Sequence, residues 1–593
     1  MCGIIGYIGK KQAKEVIVHG LKQLEYRGYD SAGIALLNNQ KKVHIFKDKG
    51  RVSHLEMIID PTIQSTLGIG HTRWATHGKP NQINSHPHQS QNKRFTIVHN
   101  GVIDNFKKIK ADYLKEITFV SETDTEVIVN LIELYSRSLS IRDAIRKTMS
   151  KLEGSYAFLL IDDHTPDRLY VCKNKAPMHI GISEHEFILA SDVIPLAGHC
   201  DSYIIMQDLT FAEIRKDGFS LYDIMGVPAE YQAVPMNISI DEISKGSFEH
   251  YMLKEIHEQP GVIRNLVSNY FVEEEINIDK EIIDVILSCD KINFVACGTS
   301  MYASYMAKYY FEKLCGIPSE VFVASELVYS TPLIKDKPVF IYLSQSGETA
   351  DSIAVMKKFK AQGFPAIAIT NSKTSTMNSI ADYTLDICAG TEIAVASTKS
   401  YMAQVVVCAI LAKALTHKIT NLKTNLNRIA LAIEKILDQK GVIKQIAEKL
   451  KDANDIFYIG RGIDYWACLE SALKLKEIAY IHTEAFSSGE LKHGSIALIT
   501  EGTPVIAICT QENTNAIVRS NLAETVSRGA LPVVISMETL SEGEDDFIVP
   551  DVAHYLSPLV SVAVTQLLAY YSATLKGNDV DKPKNLAKSV TVE

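Results

Sequence analysis

Short apolar runs separated by turns dominate the first ~240 residues of the chain. The turns are rich in Gly, Asn and Asp, and the runs have the length and β-branched content of strands, as in Gly3–Ile8, Gly33–Leu37, Val43–Phe46 and Phe95–Val98. Apolar residues instead recur at helical spacing in Gln12–Leu24 and Thr123–Ser136, the second after a capping-competent S-E-T-D sequence. This pattern predicts a strand-rich α/β domain over residues 1–240.

Strands and helices alternate regularly from about Ile282 onward, which is typical of parallel sheets with crossover helices. The segment from Ile292 resembles the one from Asp455, and the segment from Lys337 resembles the one from Thr503. Two copies of one doubly wound α/β domain explain these repeats. We therefore predict a linker over residues 241–281, the two copies at 282–425 and 445–583, and a C-terminal tail at 584–593.

Composition and charge exclude several classes of protein. The chain is 46% hydrophobic and 22% charged, with a formal net charge of −9 and no run of Lys and Arg, so nothing favours nucleic-acid binding. The most apolar windows, near Ala403–Ala414 and Leu556–Tyr571, are short or interrupted by polar residues, and we expect buried helices there. With no signal-peptide pattern at the start, we expect a cytoplasmic protein without membrane contact.

Cysteine and histidine spacing gives no support for a metal site. The ten cysteines are scattered without a C-x-x-C pair, which favours reduced thiols over disulfides or a zinc site. The only local histidine enrichment comprises His71, His77, His86 and His88, and it lacks both a helical H-x-x-x-H pair and an acidic ligand nearby. We expect these histidines to make hydrogen bonds within a loop, and we predict no metal and no cofactor.

Cys2 directly follows the initiator methionine. Removal of Met1 would give this residue a free α-amino group with a pKa of about 7.7–8.0, close to that of a thiol at about 8.5. Such an amine is able to take the thiol proton, so Cys2 would carry its own base as a nucleophile. The alternative is a cysteine packed at a strand edge as a small hydrophobic residue.

Five motifs after Cys2 favour the nucleophile: YRGYDSAG, GHTRWATHG, NSHPH, VHNGVIDN and SETDTE. Their order resembles that of the glutamine amidotransferases with an N-terminal nucleophile. The resemblance covers nearly all of the first ~240 residues and implies a four-layer αββα glutaminase domain.

The resemblance also implies a role for each matching residue. Cys2 would attack the side-chain amide of glutamine, while the Asn100 side chain and the Gly101 backbone N–H, which we expect in a tight turn, would hold the oxyanion. Arg73 and Asp124 would bind the α-carboxylate and the α-amino group, as their charges suit. The remaining candidates are Thr76 and His77 as neighbouring contacts, Arg27 positioning the nucleophile from a glycine-flanked loop, and Trp74 in a mobile lid.

The segment YLSQSGETADS, between a predicted strand and a helix, is suited to bind phosphate. Hydroxyl groups and helix N-terminal amides around Gly347 would form an anion cradle, although a hydroxyl-rich helix cap would look the same. The second repeat has CTQENTN here and has lost the second serine and the counterpart of Gly347, so only the first copy keeps the cradle. The candidate ligands are Ser300, Ser344, Gln345, Ser346 and Thr349.

The repeated domains resemble sugar-isomerase (SIS) domains. The whole motif order, with AVASTKS, GELKHG and the terminal AKSVTVE, is similar to the family of isomerising aminotransferases that act on glutamine and fructose 6-phosphate. This implies transfer of the glutamine amide nitrogen to fructose 6-phosphate, giving glucosamine 6-phosphate and glutamate, the first committed step toward UDP-N-acetylglucosamine. It further implies a homodimer, and sugar contacts at Thr299, Ala396 and Ser397.

In this family a tail lysine, here Lys588, forms a Schiff base with the open-chain sugar. The resemblance assigns proton transfer between C1 and C2 to Glu477, ring opening to His493 and stabilisation of the enolate charge to Lys474. A K-x-x-E pair is also typical of a surface ion pair, and a terminal lysine of a solvated tail. Ser495-Ile496 departs from the family's usual continuation, so we expect the His493 loop to sit differently.

Other functions remain as alternatives. A phosphoribosyl amidotransferase or an asparagine synthetase would share the N-terminal motifs but would carry a diphosphate loop or an ATP site in place of the repeat. A sugar-phosphate sensor would not need Cys2, Asn100 and Asp124 together, and a SIS deglycase would not need the glutaminase half. The chain has no G-x-x-x-x-G-K-[ST] loop, which fits a transfer that needs no nucleotide.

Overall fold

The computed structural model of the protein describes residues 2–74, 78–236, 238, 240–330, 332–334 and 336–591. Its backbone contacts divide the chain into two compact units. The first unit extends to Ser244 and takes in the last residues from Ser589, and the second is Lys245–Lys588.

The first unit contains two antiparallel sheets, with strand orders β14-β11-β9-β10-β1-β4-β2-β3 and β13-β12-β8-β7-β6-β5. The strands are β1 Gly3–Ile8, β2 Ser31–Asn38, β3 Val43–Lys49, β4 Ser65–Arg73, β5 His88–Gln89, β6 Phe95–Ile103, β7 Gly154–Asp162, β8 Leu169–Asn174, β9 His179–Ser183, β10 Glu186–Ala190, β11 Ser202–Ile205, β12 Thr210–Arg215, β13 Gly218–Asp223 and β14 Ala233–Pro235. The helices are α1 Ala13–Leu24, α2 Val52–Ile58, α3 Phe106–Tyr113, α4 Thr125–Ser136, α5 Ile141–Met149 and α6 Ile240–Ile243.

The side chains of β1 show how the first unit is layered. Ile4 and Ile8 point into a core shared with the second sheet, whereas Ile5 and Tyr7 pack against α1. The second sheet likewise packs its other face against α4 and α5. Because alternate side chains of a strand face opposite ways, each sheet contributes to two cores. This arrangement is the predicted four-layer αββα fold.

The second unit contains two five-stranded parallel sheets. Its strands are β15 Phe271–Val272, β16 Glu275–Ile276, β17 Lys291–Ala296, β18 Ser319–Val323, β19 Pro338–Ser344, β20 Ala366–Thr370, β21 Tyr383–Asp386, β22 Asp455–Gly460, β23 His482–Ser487, β24 Pro504–Cys509, β25 Leu531–Met537 and β26 Phe547–Val549. Its helices are α7 Tyr251–Tyr270, α8 Lys280–Leu287, α9 Gly298–Tyr309, α10 Ala324–Leu327, α11 Ala350–Lys360, α12 Thr376–Ile380, α13 Lys399–Leu415, α14 Leu422–Asp438, α15 Lys440–Leu450, α16 Ile463–Lys474, α17 Asn515–Val526 and α18 Ser557–Leu575.

The two parallel sheets repeat one topology. Their strand orders are β18-β17-β19-β20-β21 and β23-β22-β24-β25-β26, so each copy places its first strand second in the sheet. In both copies the helix after the first strand continues into a π-helical turn, over Tyr310–Cys315 after α9 and Leu475–Ala479 after α16. The structure therefore shows the doubly wound duplication that the sequence repeat predicts.

Two segments of the second unit bear on the sequence predictions. Helix α7 lies inside the stretch expected as a linker, yet Met252, Ile256 and Ile263 are fully buried in the core of the unit. Helix α18 is long and apolar enough to cross a membrane, but 83% of its apolar window is buried, as in the core helix of a folded domain. Helix α13 is likewise almost entirely buried.

Candidate active sites

Cys2 lies at the start of β1, beside the end of β4. The antiparallel register pairs Gly3 with Thr72, which brings Cys2 next to Arg73 and Trp74. The Trp74 N–H donates to the Cys2 sulfur at 3.2 Å, and the thiol lies 3.4 Å from the Trp74 carbonyl oxygen. Burial raises the pKa of the Cys2 thiol, while the Trp74 hydrogen bond and the Arg73 guanidinium oppose this rise.

Residues from four of the sequence motifs line one small cavity with Cys2. They include Arg73, Trp74, Gly101, Thr123 and Asp124. Their cationic, anionic and nucleophilic groups thus face a common space, although the residues are far apart in the sequence. Thr76 and His77, the other predicted glutamine contacts, lie outside the described residues.

Asn100 and Gly101 lie within strand β6 and not in the tight turn that the sequence suggests. They pair with Ala157 and Tyr156 of β7, because this strand is longer than its apolar run indicates. The Asn100 Nδ2 donates to the Cys2 carbonyl oxygen at 3.0 Å. Gly101 has a φ of +118°, and an added Cβ would lie 1.9 Å from the Ser155 carbonyl oxygen. Glycine is therefore required for the backbone to pass this point.

Asp124 occupies the N-cap position of α4, but its side chain does not cap the helix. Its Oδ2 instead accepts a hydrogen bond of 2.7 Å from the Ile103 N–H at the end of β6. This bond holds the carboxylate at the cavity. Arg73, which lines the same cavity, donates from Nη2 to the Gly78 carbonyl oxygen at 3.2 Å.

Arg27 is in a short 3-10 turn, Glu25–Arg27, and is buried. It forms an ion pair with Asp192, which also accepts a hydrogen bond of 2.6 Å from the Tyr26 hydroxyl. The glycine-flanked loop expected from the sequence is thus a turn fixed by a buried ion pair. Asp192 was not predicted, because its partner is 165 residues away.

Four buried histidines form a cluster at the cavity, and two of them, His86 and His99, line it. His71 stacks on His86 with 4.0 Å between ring centroids, and His71 Nε2 lies 3.0 Å from the His99 carbonyl oxygen. The His99 Nδ1 lies 3.0 Å from the Thr125 hydroxyl, and His88 packs edge-on against His86. Burial lowers the pKa of His71 to about 3, so this ring is neutral at physiological pH.

The predicted phosphate cradle follows strand β19. Ser344 Oγ accepts from the Gly347 N–H at 3.0 Å and lies 3.2 Å from the Thr349 hydroxyl, while Ser346 Oγ accepts from the Glu348 N–H. The Gln345 carbonyl oxygen accepts from the Asn371 N–H at 3.1 Å. The hydroxyl groups and amides of this loop thus converge ahead of helix α11.

Ser300 and Thr299 open helix α9 and connect three helices. Gln404 of α13 donates to the Ser300 hydroxyl at 3.0 Å. The Thr299 hydroxyl accepts from Lys474 of α16 at 3.0 Å and lies 3.4 Å from Glu470. These bonds join the start of α9 in the first SIS-like copy to the C-terminal end of α16 in the second.

Lys474 is fully buried between two carboxylates. Its Nζ lies 2.6 Å from Glu477 and 3.4 Å from Glu470, which shows that the K-x-x-E pair is not a surface ion pair. Burial raises the pKa of Glu470 to about 7 despite the neighbouring Lys474 ammonium. Glu477 lies in the π-helical turn that continues α16. Glu470 was missed, although its i, i+4 spacing from Lys474 is visible in the sequence.

Lys588 is docked in a buried site and is not a solvated tail residue. Its Nζ lies 2.5 Å from Glu392 and donates to the Ala394 carbonyl oxygen at 2.8 Å. Glu392 also accepts from Thr398 N, Ser400 N and Ser397 Oγ, while Ala396 is buried in the same loop. Burial would raise the pKa of Glu392, but the Lys588 ammonium and these hydrogen bonds lower it to about 2.

His493 is exposed at the end of the 3-10 turn Glu490–His493. Among the described residues, no hydrogen bond or ion pair connects it to Lys474, Glu477 or Lys588. The role of His493 in ring opening therefore stays a prediction from the resemblance.

The second SIS-like copy has a carboxylate at the corresponding edge of its sheet. Asp464 lies two residues after Gly462, as Ser300 lies two residues after Gly298, and both glycines have a positive φ. Asp464 Oδ2 accepts from the Thr510 N–H at 2.9 Å, and its Oδ1 accepts from the Thr510 hydroxyl. Burial raises the pKa of Asp464 to about 7.

Comparisons with known proteins agree with this arrangement. A family model described as a glutamine amidotransferase domain matches residues 71–197, and one described as a SIS domain matches residues 285–414 and 449–576. The C-terminal domain of glucosamine-fructose-6-phosphate aminotransferase from Francisella tularensis is 34% identical, with a TM-score of 0.54 over 57% of this chain and 99% of that one.

Full-length relatives are closer in sequence. The chain is 49% identical over 602 residues to a relative from Listeria monocytogenes and 49% identical over 601 residues to one from Geobacillus kaustophilus, with 100% of both chains covered in each case. Both relatives are named glutamine–fructose-6-phosphate aminotransferase (isomerizing). The chain therefore belongs to the family of isomerising glutamine–fructose-6-phosphate aminotransferases.

Proposed function

We propose how this member of the family divides the transfer of nitrogen from glutamine to fructose 6-phosphate. The first unit releases ammonia from glutamine at Cys2. The second unit binds the sugar phosphate, combines its C2 carbonyl with ammonia and isomerises the product to glucosamine 6-phosphate. The observation that carries this proposal is the convergence of Cys2, Arg73, Gly101 and Asp124 on one cavity.

In the glutaminase reaction, the Cys2 thiolate adds to the side-chain amide carbon of glutamine. The free α-amine of Cys2, once Met1 is removed, takes the thiol proton and then protonates the leaving ammonia. Asn100 Nδ2 and the Gly101 N–H stabilise the oxyanion, each such donor being worth about 3–4 kcal/mol. Water then hydrolyses the thioester to glutamate.

The α-carboxylate and α-ammonium groups of glutamine explain why the Cys2 site also contains an arginine and an aspartate. Arg73 binds the α-carboxylate and Asp124 the α-ammonium group, with Trp74, Thr76 and His77 as neighbouring contacts. Arg73 and Asp124 are buried, so the low local dielectric strengthens both interactions.

In the sugar reaction, the Ser344–Thr349 loop and Ser300 bind the phosphate, with Thr299, Ala396 and Ser397 as further sugar contacts. The Lys588 amine forms an imine at C2 of the open-chain ketose, and ammonia displaces it. Glu477 then moves a proton from C1 to C2, while the Lys474 ammonium stabilises the enolate-like charge. His493 stays a prediction for ring opening.

Two variants separate these half-reactions. Cys2→Ala removes the nucleophile, so glutamine hydrolysis falls by at least 10³-fold while isomerisation of fructose 6-phosphate continues. Lys588→Ala leaves glutamine hydrolysis measurable and abolishes glucosamine 6-phosphate. Both products are followed by coupled assays. Loss of both activities in the Cys2 variant, or wild-type aminosugar from the Lys588 variant, contradicts the assignment.

We further propose a cytoplasmic homodimer. All ten cysteines are free thiols, which suits a reducing compartment. The dimer rests on the family resemblance alone.

A further inference from the structure

The buried carboxylate of Glu392 is the ion partner of Lys588 and has four hydrogen-bond donors. Besides Lys588, it accepts from Thr398 N at 2.9 Å, Ser400 N at 3.1 Å and Ser397 Oγ at 3.1 Å. Two of these donors are backbone amides at the N-terminal end of α13, where helix geometry favours an anion. Glu392 is therefore fixed as a carboxylate before any substrate binds.

The charged groups around this ion pair come from two helices and the tail. Helix α7 contributes Glu255 and Glu258, and α13 contributes Lys399, which pairs with Glu258 at 2.7 Å. Glu255 Oε1 accepts from the Ile393 N–H at 2.5 Å. Burial and the neighbouring Glu392 raise the pKa of Glu255 to about 8, so this group is protonated at neutral pH. One anion, Glu392, thus remains for one cation, Lys588.

We propose that Glu392 is a positioning residue that stays the counter-ion of the Lys588 nitrogen throughout the sugar reaction. This inference rests on the proposed function, since it requires Lys588 to form the imine. Glu392 does not take part in bond making; it holds the nitrogen in place and keeps the imine protonated, so that the imine withdraws electrons from C2.

The charge balance of imine formation supports this role. A lysine ammonium and a ketone give a protonated imine and one water molecule, so the nitrogen carries one positive charge before and after. Two of the three ammonium protons leave with the carbonyl oxygen as water, and one N–H remains. In the structure the Lys588 Nζ contacts both Glu392 and the Ala394 carbonyl oxygen, and the single N–H of the imine is able to keep only one of these contacts. The carboxylate of Glu392 is the stronger acceptor, and the Ala394 carbonyl contact is released.

Glu392→Gln in the full chain tests the proposal. Isomerisation of fructose 6-phosphate is measured between pH 6 and pH 10, and the Lys588 imine is trapped with borohydride and located by mass spectrometry. We expect kcat to fall at least tenfold and the alkaline limb of the pH profile to move down by about one unit, because a cation that loses its anionic partner deprotonates more easily. Glu392→Asp restores the negative charge. We expect this variant to keep the alkaline limb of the wild-type pH profile, with a reduced kcat.

Glu434→Gln is the matched control, because it removes a carboxylate from a half-exposed ion pair with Arg264 in the same unit. We expect its pH profile to match wild type. A folded Glu392→Gln protein with the wild-type rate and limb overturns the proposal. If Glu392→Gln does not fold, Glu392→Asp decides: a displaced alkaline limb in that variant overturns the proposal, and an unchanged limb supports it. Failure to trap any Lys588 adduct in wild type instead refutes the proposed function.

Discussion

The Lys588 site contains two carboxyl groups in opposite charge states. Glu392 has four donors, including an ammonium, and stays ionised, whereas the Glu255 carboxyl is buried beside that negative charge and keeps its proton. The same residue type thus serves as an anion and as a neutral acid within one site, and the hydrogen-bond donors around each make the difference.

Glu255→Gln should make the protein relatively more stable as pH rises. In the folded state burial and Glu392 raise the pKa of Glu255 to about 8, while the unfolded chain ionises near 4.5, so the folded state holds one more proton between these values. The free energy of unfolding therefore falls with rising pH in this window, and a neutral glutamine removes that loss.

Thermal melts between pH 5 and pH 8 measure this effect as the difference in Tm between variant and wild type. The difference should grow with pH. Glu448→Gln, on the exposed face of α15, is the control and should show a constant difference. A constant difference for Glu255→Gln as well would mean that Glu255 is ionised in the folded protein.

At this scale, sequence alone identifies residues inside motifs but not their partners. Cys2, Arg73 and Asp124 were predicted from motifs, and the structure brings them to one cavity. Glu392 and Asp192 were not predicted, because they lie 196 and 165 residues from the groups they bind. Contacts between residues so far apart in the sequence depend on how the chain folds, and the chemistry of each residue alone does not predict them.

At the scale of elements, Gly347, like Gly101, adopts a positive φ where the backbone passes close to a neighbour. Gly347 has a φ of +67°, and an added Cβ would lie 2.2 Å from Ser375 Oγ and 2.5 Å from its Cβ. The cradle loop therefore has no room for a side chain at this position.

Gly347→Ala should raise KM for fructose 6-phosphate by about tenfold, because relief of the clash displaces the amide that donates to Ser344. Gly363→Ala is the matched control: this residue also has a positive φ, +85°, but nothing lies within 4 Å of the added Cβ. Steady-state kinetics compare the two, with glutamine hydrolysis as the internal reference. Equal KM values in both variants would show that the cradle tolerates the side chain.

Helices and strands with a strong apolar periodicity were predicted well. Strand segments that depend on hydrogen bonding to a neighbouring strand were not. The strand Gly3–Ile8 and the helix ending at Leu24 agree with the apolar pattern. The predicted turn at Asn100-Gly101 was wrong, because pairing with β7 continues the strand through a sequence that favours turns locally. The stretch 241–281 was predicted as a linker, but helix α7 within it packs a buried face into the core of the second unit, because tertiary packing decides which helices are buried.

At the scale of the whole molecule, the two units have separate hydrophobic cores. Among the described residues, each buried cluster draws its members from one unit only. The internal repeat made this division visible in the sequence, because both copies fall within the second unit.

A chain of residues 245–593 should fold alone and isomerise fructose 6-phosphate, since it keeps its core together with Lys474, Glu477 and Lys588. Circular dichroism and a coupled isomerase assay measure this. The same fragment with Lys588→Ala is the control and should be folded but inactive. A fragment that folds with an intact lysine and shows no isomerisation would mean that the sugar site needs the first unit.

The buried Asp464 side chain distinguishes the second SIS-like copy from the first. Asp464 accepts from both the N–H and the hydroxyl of Thr510, so neither donor is left for a phosphate in the second copy, whose helix α16 carries Glu470 and Lys474. The proposed sugar site therefore takes its phosphate ligands from the first copy and its buried lysine from the second.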